Sequence, residues 1–312
     1  MLTLSLITSC TNRKRISPGR ALTARTLRKE STTLLAREWV KRVREALPVA
    51  HAGNLYQGRA FLEASKTSES MQSPLYVISA GLGLLHAEKK IASYSLTVST
   101  GSEDAIQNRC TDPIFSTTQW WRVLNAQFGV RYPLSKLIAE SGRKHWLLAV
   151  PINYFELVAD DLNQLSDAHL KRLRIVGPQI NQDAHRVLKA CLLDIDDRLN
   201  GPDSPLAGTQ ADFAQRAARF AYEKVIRENP EGEVLVHRRA ISGKLAGMRH
   251  ATKYKRQAMS DEGIMRKIKA LWKTAEGRSG RMLRLLRDQE QIACEQRRFK
   301  GLFKQVQMSV IS

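Results

Sequence analysis

Cysteine is scarce in this sequence, and the few cysteines are widely separated. Cys10, Cys110, Cys191 and Cys294 form no CxxC pair and no cluster with histidine. This spacing argues against a structural zinc site, which needs several Cys or His ligands close together. It also argues against a disulfide framework. We therefore expect a protein without a metal, in the reducing environment of the cytoplasm.

Long apolar runs are absent as well. No stretch approaches the roughly 18 apolar residues that a transmembrane helix needs. The opening residues 3–10, TLSLITSC, imitate the cleavage site of a bacterial lipoprotein. The apolar run is short, however, and the basic residues follow the cysteine instead of preceding the run. We expect neither export nor a membrane partner.

The common signatures of nucleotide-dependent and metal-dependent enzymes are also missing. No GK[ST] follows a glycine-rich turn, no GxGxxG occurs, and the seven histidines form no HExxH pattern. These absences remove support for binding of a nucleoside triphosphate or a dinucleotide. We therefore expect an activity that needs no cofactor.

Positive charge, in contrast, is abundant and unevenly distributed. The net charge is +20, with 50 Lys and Arg against 30 Asp and Glu. Residues 1–60 carry 12 basic and 3 acidic residues, and residues 234–312 carry 19 and 6, while the segment between them is nearly neutral. Two basic ends around a neutral core favour a nucleic-acid binder. A basic surface that only confers solubility is the alternative.

Over the first 200 residues, strand patterns alternate with helical ones. Strands are predicted at 2–8, 75–80, 145–150 and 173–177, and helices at 22–47, 117–128, 153–165 and 181–199. This alternation predicts an α/β domain with a mostly parallel sheet in three layers. Such sheets bind ligands at the carboxyl ends of their strands.

The stretch LNGPDSPLAG at 199–208 has the composition of a linker. Lys and Arg dominate the patterns beyond it, which are helical at 209–228 and 260–306. We therefore predict a core over 1–200 and a basic helical extension over 209–312. Residues 237–257 mix basic residues with two glycines and are expected to lie along a phosphate backbone. The DNA-binding residues predicted there are Arg238, Arg239, Lys244, Arg249, Lys253, Lys255 and Arg256.

Polar residues follow the first predicted strand directly. Ser9, Cys10 and Arg13 would offer a hydroxyl, backbone N–H groups and a guanidinium to a phosphate or a base. Cys10 is expected to be a small residue in the pocket wall, because no histidine base lies near it in sequence. An ordinary surface loop is the alternative.

Two further segments contribute candidate binding residues. In LYQGRAF, 55–61, Tyr56 would stack on a base and Arg59 would hold a phosphate or carboxylate, unless the segment is simply a helix start with a packed aromatic. In YVISAGLGLL, 76–85, a strand ends at Ser79, and Gly81 permits a tight turn. Tyr94 ends the polar stretch that follows.

These motifs together resemble a known group. SCTNRK, LYQGRAF, YVISAGLGLL and Tyr94-Ser95-Leu96-Thr97 are similar to a bacterial group related to the uracil-DNA-glycosylase-like α/β fold. Archaeosine-type tRNA transglycosylases and a family of peroxide-stress proteins share that fold. Within it, the chain most resembles the anti-phage DNA glycosylases that remove glucosylated hydroxymethylcytosine. The resemblance covers about residues 1–200 and implies a DNA glycosylase that flips and excises a modified base.

The catalytic residues of ordinary uracil glycosylases cannot be transferred, because this sequence has no GQDPYH-like and no HPSP-like motif. Cleavage of an N-glycosidic bond needs a carboxylate that stabilises the sugar cation and orients water. Asp104, in the polar segment 100–110, is the first candidate, and Glu156 is the second. A solvated surface acid is the alternative for each.

Asn153 would read a base edge through its amide. It also has the spacing of a helix N-cap, with Glu156 three residues later. For the whole chain, two other functions remain open. One is a base-exchange or base-modifying enzyme acting on tRNA or DNA, and the other is a non-enzymatic stress protein that coats DNA.

Overall fold

The computed structural model describes residues 4–142, 145–177, 185–206, 208–252 and 255–311. Two compact units make up the chain, Met1–Ala251 and Thr252–Ser312. No helix in these ranges is both long enough and apolar enough to cross a membrane.

The described residues form strands and helices in alternation over most of the first unit. The strands are β1 Leu4–Ser9, β2 Ala50–His51, β3 Leu75–Ser79, β4 Gly83–His86, β5 Lys90–Ile91, β6 His145–Ala149, β7 Leu173–Val176, β8 Gln257–Ala258 and β9 Ile292–Ala293. The α-helices are α1 Thr32–Glu45, α2 Ala52–Leu55, α3 Arg59–Ser70, α4 Thr117–Gln127, α5 Pro133–Glu140, α6 Ile152–Leu162, α7 Asp167–Leu170, α8 Arg186–Lys189, α9 Phe213–Ala221, α10 Val234–Leu245, α11 Asp261–Ala270, α12 Ser279–Arg284 and α13 Gln296–Ile311.

The central sheet has five strands in the order β4-β3-β1-β6-β7. Strands β3, β1, β6 and β7 are parallel, and β4 runs antiparallel to β3 at one edge. The predicted α/β fold with a mostly parallel sheet is confirmed, although the sheet is mixed. Strand β4 was not predicted from the sequence. It is only four residues long, and glycines lie just before it and at its first position.

The helix predicted at 22–47 is shorter than expected. It starts only at Thr32, after the short 3₁₀ turns Arg20–Leu22 and Ala24–Thr26. The turn between them is held by pairing with another segment: Ala24 N–H donates to the Ser95 carbonyl, and Ser95 N–H donates to the Leu22 carbonyl. These long-range hydrogen bonds override the local helical pattern.

Helix α9 belongs to the first unit and packs against α3, β6 and β7. The Gln215 side chain in its first turn donates to the Thr8 hydroxyl of β1 at 3.0 Å and to the Ala149 carbonyl of β6 at 3.2 Å. The first unit therefore extends to Ala251, beyond the boundary predicted at 200–209.

A buried arginine attaches the predicted linker to α9. The Arg216 guanidinium donates to the carbonyls of Leu199 at 3.1 Å and Thr209 at 2.8 Å, and it pairs with the Asp212 carboxylate at 2.9 Å. Gly208 leaves room for it, because a Cβ there would lie 2.0 Å from the Arg216 Nε. The Gly-Pro composition therefore marks a tightly packed turn segment.

The second unit has its own hydrophobic core, built from α11, α12 and α13. Ile264, Ile268, Met282, Leu286 and Phe299 are buried in it. Trp272 and Phe303 stack with their ring centroids 5.2 Å apart. A separate core is what an independently folding unit requires.

Candidate functional site

The candidate site lies at the carboxyl ends of β1 and β3, next to the point between β1 and β6 where the sheet reverses its strand order. Open α/β sheets bind ligands at such a point. Ser9 and Cys10 end β1 and are buried. The Cys10 Sγ lies 3.1 Å from the hydroxyl of Tyr154, which stands in the first turn of α6. Cys10 thus packs as a small buried residue beside Tyr154.

Three buried hydroxyl groups meet beside it. The Tyr94 hydroxyl lies 2.6 Å from the Ser79 Oγ and 2.9 Å from the Tyr56 hydroxyl. The Ser79 Oγ also accepts from the backbone N–H of Leu82 at 2.9 Å. The structure therefore brings together three residues that were predicted from separate motifs.

Gly81 makes this cluster possible. A Cβ at Gly81 would lie 2.8 Å from the Tyr94 Cε2 and 3.3 Å from the Trp39 ring. The Trp39 indole N–H donates to the Gly81 carbonyl at 2.6 Å. The role of Gly81 in the structure is therefore close packing of its backbone against Tyr94.

Tyr56 is fully buried, so it does not present a free ring face at the surface. Its ring packs against Phe61 and Tyr94, with centroids 5.3 and 6.5 Å apart. The alternative that LYQGRAF is a helix start with a packed aromatic agrees with this position, because α3 begins at Arg59.

Lys14 completes the cluster from above the Tyr94 ring. Its backbone is fixed on both sides: Arg15 N–H donates to the Leu55 carbonyl and Gln57 N–H donates to the Arg13 carbonyl, each at 2.9 Å. Alternation along this bridge turns Arg13 and Arg15 outward and Lys14 inward. The Lys14 Nζ lies 4.1 Å from the centre of the Tyr94 ring.

Burial sets the protonation behaviour of this cluster. Removal from water raises the pKa of the Tyr94 and Tyr154 hydroxyls well above their ordinary value. The same effect lowers the pKa of the Lys14 amine. The tyrosines therefore remain protonated hydrogen-bond donors, while the amine is shifted toward its neutral form.

An open cleft of about 980 Å³ borders the cluster and is basic on balance, because five Lys and Arg line it against Glu63 and Glu69. Lys14 and Tyr56 lie on its inner side, and exposed Arg13, Arg15 and Lys66 line it further out. Arg13 is therefore placed to meet an anion.

Arg59 lines the same cleft from the first turn of α3. Its Nε pairs with the Asp212 carboxylate at 2.6 Å, while its side chain remains 60% exposed. Arg59 thus joins the cleft to the loop before α9.

Asp104 is almost buried, at 8% relative exposure, and lines a neighbouring cavity of about 770 Å³. One carboxylate oxygen accepts from the backbone N–H of Arg25 at 3.0 Å, and the other accepts from the Ser95 hydroxyl at 2.8 Å. Ser95 immediately follows Tyr94. The carboxylate is therefore held in one orientation.

Glu156 has a different environment. It lies on α6, its side chain is 42% exposed, and its carboxylate pairs with His185 Nε2 at 2.9 Å. The adjoining residues 178–184 lie outside the described part of the chain. Of the two predicted acids, Asp104 is thus the better oriented.

The alternative that Asn153 caps a helix is wrong. Pro151 is the N-cap of α6, so Asn153 is already inside the helix. Its amide instead donates to the Ser99 hydroxyl at 2.9 Å. Asn153 therefore ties the start of α6 to the loop that leads to Asp104.

The predicted DNA-binding residues fall into two groups. Arg239, Lys244 and Lys255 are exposed. Arg238, Arg249 and Arg256 are engaged within the protein: Arg238 with the Leu192 carbonyl, Arg249 with Asp203, and Arg256 with Asp288. Lys253 lies outside the described residues. Pairing, and not exposure, thus separates candidate phosphate contacts from structural arginines, because the Arg249 side chain is paired although it is 74% exposed.

Among the described residues, Asp196, Asp197 and His250 lie close enough together to share a metal ion. The Asp196 carboxylate, however, already accepts from the Arg198 guanidinium at 2.8 and 2.9 Å. A cation there would compete with that arginine.

Sequence reasoning missed Lys14 and Tyr154 as members of the site. Lys14 stood within a basic run, and Tyr154 within a helical pattern. All three residues of the run Arg13, Lys14 and Arg15 are basic, so no local pattern marks the middle one as the inward residue. Comparison with known proteins adds no relative: no protein-family model, curated protein or solved structure matches this chain.

Proposed function

We propose that the protein is a DNA glycosylase with a uracil-DNA-glycosylase-like core. It would flip glucosylated hydroxymethylcytosine out of phage DNA, hydrolyse the N-glycosidic bond and leave an abasic site, as a defence in the cytoplasm. The observation that carries the proposal is the basic cleft whose inner side is formed by Lys14 and Tyr56, with the buried Tyr94 ring packed against both. The sequence resemblance supplies the modified base.

Charge supports the choice of a nucleic acid. The cleft is lined by Arg13, Arg15, Arg59 and Lys66, and exposed Arg239 and Lys244 add positive charge on α10. Contacts of this kind bind phosphates in a salt-dependent way. Base excision also requires the nucleotide to leave the helical stack, which phosphate contacts on both sides would stabilise.

We propose Asp104 as the catalytic carboxylate of the site. When the bond to the base breaks, positive charge develops on the sugar and negative charge on the base. A carboxylate held by the Arg25 N–H and the Ser95 hydroxyl would stabilise the sugar and orient the attacking water. Glu156, whose carboxylate is engaged with His185, is assigned no step.

The hydroxyl cluster suits the departing base. Tyr94 and Ser79 are protonated donors in a buried setting, where hydrogen bonds to a developing anion are strongest. The site would then have the Asp104 carboxylate on the side of the sugar and the neutral hydroxyl donors on the side of the base.

The test incubates the purified protein with phage DNA that contains glucosylated hydroxymethylcytosine and with the same sequence containing ordinary cytosine. Alkali then cleaves any abasic sites. The proposal predicts strand breaks only in the modified DNA. Intact DNA in both samples despite tight binding would instead indicate a DNA-coating protein. Uptake of a labelled free base into tRNA or DNA would indicate a base-exchange enzyme.

A further inference from the structure

The Lys14 amine is a reactive group of the site that has no role in the proposed hydrolysis. Its position is built into the fold, because the hydrogen bonds of Arg15 and Gln57 fix the backbone on either side. The side chain runs inward from that bridge and lines the inner side of the basic cleft. The amine is thus in reach of a ligand that enters the cleft.

The surroundings of this amine differ from those of a structural lysine. Within the part of the chain that the structure describes, no carboxylate pairs with it at ion-pair distance. The Nζ donates to the Thr11 carbonyl at 3.2 Å and lies over the rings of Tyr94 and Tyr56, at 4.1 and 5.6 Å from their centres. A desolvated lysine of this kind is a nucleophile rather than a point charge.

The neighbouring groups supply the complementary chemistry. The Tyr94 hydroxyl stays protonated, because burial raises its pKa. Burial lowers the pKa of the Lys14 amine, and the Asp104 charge acts on it in the opposite direction. A partly neutral amine beside proton-donating hydroxyls is an arrangement suited to attack on a carbonyl group.

We infer that Lys14 gives this site a second activity, the β-elimination of an abasic deoxyribose through an imine on its Nζ. The inference rests on the proposed function in one respect, since excision of a base is what produces such a sugar. The substrate is the open-chain aldehyde form of the abasic site, which no other nucleotide of intact DNA offers.

The reaction needs no oxidant, reductant or cofactor. The neutral amine adds to C1′ of the aldehyde, and one water molecule leaves as the C=N bond forms. A base then removes a proton from C2′, and the C3′–O bond breaks with the 3′-phosphate as leaving group. The Asp104 carboxylate is our candidate for this base, because its charge already acts on the amine. Water finally hydrolyses the imine, which frees Lys14 and an unsaturated aldehyde on the cut strand.

The test uses a duplex oligonucleotide with one abasic site, prepared beforehand by removing a uracil. Protein and DNA are mixed with sodium borohydride, which reduces an imine to a stable secondary amine. We expect a covalent protein–DNA adduct, and peptide mass spectrometry should place it on Lys14. Without borohydride, we expect strand cleavage at neutral pH without alkali.

The matched variants are Lys14→Arg and Lys136→Arg, which both keep the positive charge; Lys136 is an exposed residue of α5 that does not line the cleft. Lys14→Arg should lower the adduct yield at least about tenfold, because a guanidinium forms no such imine, while Lys136→Arg should leave it unchanged. A melting curve establishes that each variant is folded. If Lys14→Arg does not fold, the residue that carries the adduct in the unmutated protein still shows whether Lys14 forms the imine.

Absence of an adduct, or an adduct on another lysine, would overturn the inference. Since the abasic site is preformed, this result is independent of base excision. Base release from modified DNA without an adduct would therefore refute the lyase activity alone. An adduct on Lys14 without base release would support the lyase activity and refute the proposed substrate.

Discussion

The hydroxyl groups of Tyr56 and Tyr94 lie 2.9 Å apart, although 38 residues separate them in the sequence. Tyr94 reaches Tyr56 from the loop after β5, and Tyr56 comes from the turn between α2 and α3. Their rings meet edge to face, at an interplanar angle of 86°. This contact joins two predicted motifs into one buried cluster, to which Ser79 adds a third.

Replacement of Tyr94 by Phe should destabilise the protein while preserving its shape. The variant leaves the buried hydroxyls of Tyr56 and Ser79 without their shared partner, at a cost of about 1–3 kcal/mol in the free energy of unfolding. Denaturant unfolding measures this cost. Tyr132→Phe is the control, because no hydrogen bond of its hydroxyl occurs among the described residues. Equal stability of Tyr94→Phe and the control would contradict the buried cluster.

Gly81→Ala should also destabilise the protein, for a steric reason. The new Cβ would lie 2.8 Å from the Tyr94 ring, a distance that forces the ring or the turn to shift. We expect a loss of about 1–3 kcal/mol, measured by thermal or denaturant unfolding. Gly142→Ala meets no atom within 4 Å and should be neutral. A neutral Gly81→Ala would show that the backbone does not pack against Tyr94.

Asp104→Asn should abolish base excision and leave DNA binding intact. The amide keeps the size of the side chain but cannot carry the charge that faces the sugar cation. A loss of catalysis of at least about 100-fold is expected in single-turnover assays. The control is Glu103→Gln, which removes the charge of the neighbouring, largely exposed residue. Full activity of Asp104→Asn would refute the assignment of Asp104 as the catalytic carboxylate.

Arg216→Met tests whether residues around 199–209 belong to the first unit. Methionine removes the guanidinium that holds the Leu199 and Thr209 carbonyls and leaves Asp212 without its buried partner. Breaking a buried pair in this way costs about 3–5 kcal/mol of stability. Arg131→Met, at an exposed position, is the control. If both variants unfolded at the same denaturant concentration, these residues would be a linker after all.

The double variant Arg239→Ala/Lys244→Ala should weaken DNA binding uniformly across sequences. If both exposed side chains contact phosphates, the slope of log affinity against log salt should fall by up to about 2. Arg249→Ala removes a side chain already paired with Asp203 and should leave that slope unchanged. An unchanged slope for the double variant would remove α10 from the DNA-binding surface.

The sequence predicted the elements whose patterns are local. The strands at 75–80 and 145–150 alternate with helices, and buried apolar runs of this kind need no distant partner to be recognised. β3 ends at Ser79 and β6 at Ala149, each within one residue of the predicted strand end. Local sequence patterns therefore predicted which segments form the sheet and where its strands end.

Features that depend on distant partners could not be read. The inward direction of Lys14 follows from its pairing with Tyr56, 42 residues later in the sequence. The packing of the 199–208 segment follows from Arg216, and the position of Asn153 inside α6 follows from capping by Pro151. In each case, the structure is determined by a long-range contact or by the exact start of a helix, and local composition predicts neither.

The most direct measurement of the central claim is mass spectrometry of the small molecules released from DNA by the purified protein. The account predicts free glucosylated hydroxymethylcytosine from modified phage DNA, no base from ordinary DNA, and no release by Asp104→Asn. Release of no base from modified DNA that the protein binds tightly would contradict it.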